Sequence, residues 1–193
     1  MGSIKKELLS GVFYTAIAKY SGILISLIIT GVLARLISPD KFGIVAVVTV
    51  ITFFFSIFSD LGIGAAIIQN KELQQKDLNQ LFSFTVWSGC ILTLLFFLCS
   101  WPISFFYKEP SMRTITQLLA INLFFASANI VPNALLYKAK AFKFLAWRSL
   151  GVQITGGIIA ILAALGGAGL YALIINPILS SILLFIISYQ KYG

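Results

Sequence analysis

Few side chains in this sequence have chemistry to offer. The carboxylates number six, Glu7, Asp40, Asp60, Glu72, Asp77 and Glu109, scattered over 193 residues that contain no histidine. No nucleophile stands at a base's spacing, no metal-ligand pattern occurs, and no glycine loop is built to cradle phosphate. The residues therefore suggest neither an enzyme nor a bound metal or cofactor. Cys90 and Cys99 lie in one apolar stretch, on nearly opposite faces of a helix, where packing is their expected role.

What remains is a set of polar residues in apolar surroundings. Thr15, Lys19, Gly22, Ser26 and Thr30 recur at helical spacing, as do Thr49, Thr52, Ser56 and Asp60, and then Asn122, Asn129 and Asn133. Ser149, Gln153 and Gly156 form a fourth face, and Asn176 and Ser180 a fifth. Small hydroxyls and glycines also mediate helix packing in lipid, which accounts for most of these positions. Lys19, Asp60 and the three asparagines are harder to explain that way, and Gln153 joins them as a candidate contact. Costly at membrane depth, such groups face a partner or a water-filled passage, and they are the candidate contacts for a polar cargo.

The elements that carry these residues are membrane spans. With 59% hydrophobic and 10% charged residues, and a mean hydropathy of +0.99, the chain has too little charge for a soluble domain. Continuous apolar runs predict six transmembrane helices over about 10–34, 42–68, 80–106, 115–136, 149–166 and 169–189. The runs do not alternate with polar residues, so helices are expected and not a barrel. The first run is too long for a cleaved signal peptide. Residues 1–193 thus read as a single all-α integral membrane domain, a six-transmembrane-helix bundle.

Orientation follows from the cations. Lys5, Lys6, Lys71, Lys76, Lys138, Lys140, Lys143, Arg148 and Lys191 fall on one side, and Arg35, Lys41, Lys108 and Arg113 on the other. The positive-inside rule then makes both termini cytoplasmic. Topology explains the net charge of +8, and no nucleic acid need be invoked. The basic, aromatic stretch 137–148 reads as a cytoplasmic loop able to lie along an anionic leaflet.

Depth and helix breakers add detail. Lys19 and Asp60 come out about 13 and 12 Å deep from the same face, so adjacent helices could pair them. Pro132 interrupts the fourth span and Pro177 the sixth, while Gly62 and Gly64 loosen the second. The run from Ser59 to Ile68 faintly resembles that from Ser127 to Leu136, both ending helices at the cytoplasmic face.

Several segments resemble a known family. Ala34-Arg35-Leu36-Ile37-Ser38-Pro39, with Gly43, is similar to a turn of polysaccharide exporters, the Wzx-type flippases of the MATE-like (MOP) superfamily. Asp60 to Gln69, Tyr137 to Phe144 and Gly167 to Leu173 resemble further segments of that family, in the same order. The branch most resembled is that of colanic-acid and teichuronic-acid exporters.

The resemblance implies one lobe of a MOP transporter in a bacterial inner (plasma) membrane. It implies flipping of an undecaprenyl-diphosphate-linked oligosaccharide for surface polysaccharide or lipopolysaccharide synthesis, by alternating access. Lys19 is then a cargo contact, with Arg35 and Arg148 as phosphate contacts or as side chains that snorkel to the interface. Such exporters have two lobes and about twice as many helices, so the chain reads as a fragment that needs a second six-helix lobe, in the same chain or another subunit. Two alternatives stay open: a cation-coupled small-molecule exporter with Asp60 as the ion site, and a non-transporting membrane scaffold.

Overall fold

A computed structural model describes residues 2–70 and 72–192, so Lys71, one of the cations used for orientation, lies outside the described residues. The described chain is helical throughout. Eight α-helices follow one another: α1 (Gly2–Leu36), α2 (Pro39–Asp60), α3 (Ile63–Gln69), α4 (Gln75–Tyr107), α5 (Pro110–Ala128), α6 (Ile130–Lys138), α7 (Phe142–Leu165) and α8 (Ala172–Tyr192), with one 3-10 turn before α8. They supply six segments long and apolar enough to cross a bilayer, Phe13–Leu36, Pro39–Asp60, Gln75–Tyr107, Pro110–Lys138, Phe142–Leu165 and Gly169–Lys191.

Three boundaries depart from the hydropathy reading. The stretch expected as one helix over 42–68 is two, because Leu61 and Gly62 take left-handed φ values of 42° and 79° after Asp60. Asp60 therefore ends α2, and its Oδ1 accepts the Gly64 N–H at 3.1 Å, satisfying a free donor in the first turn of α3. The fourth span is α5 and α6 separated by Asn129. Pro132 has no N–H to give the Ala128 carbonyl, which opens the ladder there. The expected loop 137–148 shrinks to a turn at Ala139 to Ala141, with Lys140 at φ 54°, so Trp147 and Arg148 lie within α7.

Three apolar clusters hold the spans together, one of them, around Ile67, Val131 and Ala134, joining α3 and α6 to α4. Val48, Phe96, Ile115, Leu119, Leu123 and Ile174 join α2, α4, α5 and α8. Ile29, Leu33, Ile37, Ala160 and Ala172 join α1, α7 and α8. Lipid tails are as apolar as these side chains, so close contact and not water exclusion selects the neighbours. Small residues permit it: a Cβ at Gly157 would strike Ile29, and one at Gly89 would stand 2.7 Å from Ser127 Cβ.

The packing order is not the chain order. α1 packs chiefly on α7, α7 on α8, α8 on α5, and α5 on both α2 and α4. The ends of α1 and α2 meet at the short Ile37–Ser38 link, with Ile37 and Phe42 in one cluster, but the two helices share no substantial interface.

Candidate functional site

The polar stripes fold into two cavities. The first, about 280 Å³, lies between α1, α6 and α7 and is lined by Thr15, Lys19, Tyr137, Phe142 and Ser149, among others. Lys19 is exposed there and makes no hydrogen bond or ion pair among the described residues. Three polar residues line the same cavity: Thr15, whose hydroxyl donates to the Gly11 carbonyl at 2.8 Å, Tyr137 and Ser149. A cation with neutral hydroxyl neighbours is suited to hold an anion by charge-assisted hydrogen bonds.

The second cavity, about 250 Å³, lies between α2, α5 and α8. Thr49, Thr52, Ser56 and Asn122 line it together with Pro177. Thr52 and Ser56 turn their hydroxyls back onto the Val48 and Phe53 carbonyls, at 2.8 and 2.7 Å. Asn122 and Thr49 have uncommitted donors here, and no ionisable side chain lines the cavity.

The other candidates divide differently from the sequence expectation. Asn133 and Arg148 meet: Arg148 Nη2 donates to Asn133 Oδ1 at 2.9 Å, and Nη1 donates to the Ser188 hydroxyl. Arg148 is buried, so it ties α6, α7 and α8 together and does not snorkel to the interface. Gln153 Nε2 donates to the Gly22 carbonyl at 2.9 Å and joins α7 to α1. Asn129 stands at the α5–α6 break, its Oδ1 buried without a partner. Arg35 is exposed at the far end of α1, in a shallow recess with Leu165.

Lys19 and Asp60 do not form a pair. Their helices pack on different neighbours, and the Asp60 carboxylate serves Gly64. Tyr137 and Ser188 carried no site expectation. Tyr137 is separated from Lys19 by more than a hundred positions, and only the packing of α6 beside α1 and α7 makes it a wall of the Lys19 cavity.

Comparison with known proteins gives a consistent answer. The chain is similar to the lipopolysaccharide biosynthesis protein WzxC of Escherichia coli (strain K12), 28% identical over 158 residues, 82% of this chain and 31% of that protein. It resembles the teichuronic acid biosynthesis protein TuaB of Bacillus subtilis (strain 168), 27% identical over 63% of this chain and 25% of that protein. It also resembles the succinoglycan biosynthesis transport protein ExoT of Rhizobium meliloti (strain 1021), 22% identical over 78% of this chain and 31% of that protein. The chain thus spans about a third or less of these relatives, and no solved structure matches it. With six spanning helices and bacterial relatives, it is a multi-pass protein of a bacterial inner (plasma) membrane. A family model described as polysaccharide biosynthesis protein matches residues 32–192, most of the sequence, and the chain belongs to that family.

Proposed function

We propose that this chain is one six-helix lobe of an exporter that flips undecaprenyl-diphosphate-linked oligosaccharide by alternating access. A second six-helix lobe, in the same chain or another subunit, completes the passage. The observation that carries this reading is the Lys19 cavity, an exposed cation inside the apolar segment Phe13–Leu36 in a cavity that Tyr137 and Ser149 also line. A diphosphate entering lipid loses its hydration, at a cost of several kcal/mol or more, and a fixed cation with hydroxyl donors replaces part of it. The neutral Asn122 cavity is suited to sugar hydroxyls, for which charge is not needed.

Orientation supports the same direction of transport. With both termini cytoplasmic, the Lys19 cavity lies near the cytoplasmic face, where a lipid-linked precursor is assembled and loaded. The names of WzxC, TuaB and ExoT, all biosynthesis proteins of surface glycans or their export, fit that cargo. For the small-molecule alternative Asp60 would have to be the ion site, and it lines neither polar cavity. The test is Lys19→Ala in the complete gene product: surface glycan is expected to fall while protein level in the membrane stays unchanged. Normal export from a stably inserted variant would remove Lys19 from the cargo path.

A further inference from the structure

The second span is broken and the fourth is loosened at the same height. In the fourth, Asn129 stays right-handed and keeps its N–H on the Phe125 carbonyl at 3.0 Å, while Pro132 leaves one rung of the ladder empty. Transport through a cavity does not by itself require either. α2 gives way to α3 through Leu61 and Gly62, both with left-handed φ, and α5 gives way to α6 at Asn129, one turn before buried Pro132. The two runs are parallel and in register. Before the breaks the Ser59 and Ser127 hydroxyls are hydrogen-bonded at 2.9 Å, and after them Lys138 Nζ donates to the Asn70 carbonyl at 2.8 Å, each pair 68 residues apart.

Between those two ties, α3 takes α6 as its main neighbour, through Ile67, Val131 and Ala134, all buried. The pair holds together as one body that also packs on half-buried Leu78, Leu81 and Phe82 of α4, and it is joined to α2 through left-handed backbone and to α5 through a proline-loosened turn. A left-handed Leu61 next to a glycine and a proline-opened turn are the places where a helix bends at least cost. Asn129, whose Oδ1 is buried without a partner among the described residues, stands at that turn.

This body touches the rest of the bundle at two informative points. Tyr137 of α6 walls the Lys19 cavity. Asn133 of α6 accepts a hydrogen bond at 2.9 Å from Arg148, which is anchored on α7 and bonded to Ser188 of α8. We propose that α3 and α6 form a single flap that swings about Leu61–Gly62 and Asn129 to open and close the Lys19 cavity, with the Arg148–Asn133 hydrogen bond as its latch. The flap's role in transport rests on the reading of that cavity as a cargo site. Its motion does not, and can be measured without cargo.

Spin labels on the complete gene product in lipid nanodiscs, with Cys90 and Cys99 replaced, provide the test. Labels at Ile17 and Ala139, both exposed, report the width across the cavity mouth, and labels at Gln69 and Ala139 report distances within the flap. Two distances are expected for the first pair and one for the second. Asn133→Ala, which weakens the latch, moves the first pair toward the longer distance. Asn133→Asp, which gives Arg148 a carboxylate, moves it toward the shorter. A single Ile17–Ala139 distance that neither variant changes, or a Gln69–Ala139 distribution that splits in two, overturns the proposal. Failure of the cargo reading would appear instead as normal glycan export from Lys19→Ala, with these distances unaffected.

Discussion

Ser127, whose hydroxyl donates to the Leu123 carbonyl at 2.8 Å, is hydrogen-bonded to the Ser59 hydroxyl at 2.9 Å, while its own proximity to Gly89 brings α4 against the same spot. Both serines are buried, in parallel helices that break within the next three residues. One contact therefore aligns the second and fourth spans at the height where each changes direction. The same offset of 68 residues recurs between Lys138 and Asn70, so the register holds from one side of the breaks to the other.

Stability should depend on this point more through packing than through the hydrogen bond. Ser127→Ala is expected to cost about 1 kcal/mol, the scale of interhelical hydrogen bonds in lipid. Gly89→Ala would place a Cβ 2.7 Å from Ser127 Cβ and is expected to cost about 2 kcal/mol. Denaturant unfolding in detergent, followed by circular dichroism, ranks the two. A smaller loss for Gly89→Ala than for Ser127→Ala would contradict the packing argument.

Arg148 should behave as a buried structural cation. Arg148→Met removes the charge together with its need for partners and is expected to destabilise less than Asn133→Leu, which leaves the guanidinium short of an acceptor at a cost of about 2 kcal/mol. Thermal inactivation of the two purified variants compares them directly. Equal losses would mean that the Asn133 contact contributes little.

Lys19 and Asp60 should act independently. α1 and α2 share no substantial interface, so the double-mutant cycle of Lys19→Ala and Asp60→Asn is expected to give a coupling energy within about 0.5 kcal/mol of zero. In an export assay Lys19→Ala should reduce surface glycan about tenfold, equivalent to about 1.4 kcal/mol of lost cargo interaction. Lys19→Arg should keep part of the activity, and Asp60→Asn most of it. A large coupling energy would reject the separation of the two helices.

Sidedness is open to labelling in intact cells. In a background without Cys90 and Cys99, cysteines at Lys76 and Lys143 should be shielded from a membrane-impermeant thiol reagent, whereas one at Glu109 should react. All three positions are exposed, so reaction reports the side of the membrane and not burial. The reverse pattern would invert the orientation and move the Lys19 cavity to the outer face.

Hydropathy alone determined that the chain crosses the membrane six times, because a helix in lipid satisfies its own backbone and only its length and apolarity need be read. The polar stripes were legible for the same reason, since helical spacing is local, and they led to Lys19, Asn122 and Asn133, whereas Arg148 came from the family resemblance. Helix ends were less legible where charge intervened. Lys138, Lys140 and Lys143 made 137–148 look like a loop, yet the helices continue past the apolar segment and leave only a short turn. Tertiary structure alone decided which faces meet. In lipid no apolar surface gains by leaving the solvent, so neighbours are chosen by where a glycine admits a side chain, as at Gly157 and Ile29, or where two polar groups find each other across spans. Those choices set α1 against α7 and not α2, separating Lys19 from Asp60. They also buried Arg148 against Asn133 and Ser188, and brought Tyr137 to the wall of the Lys19 cavity.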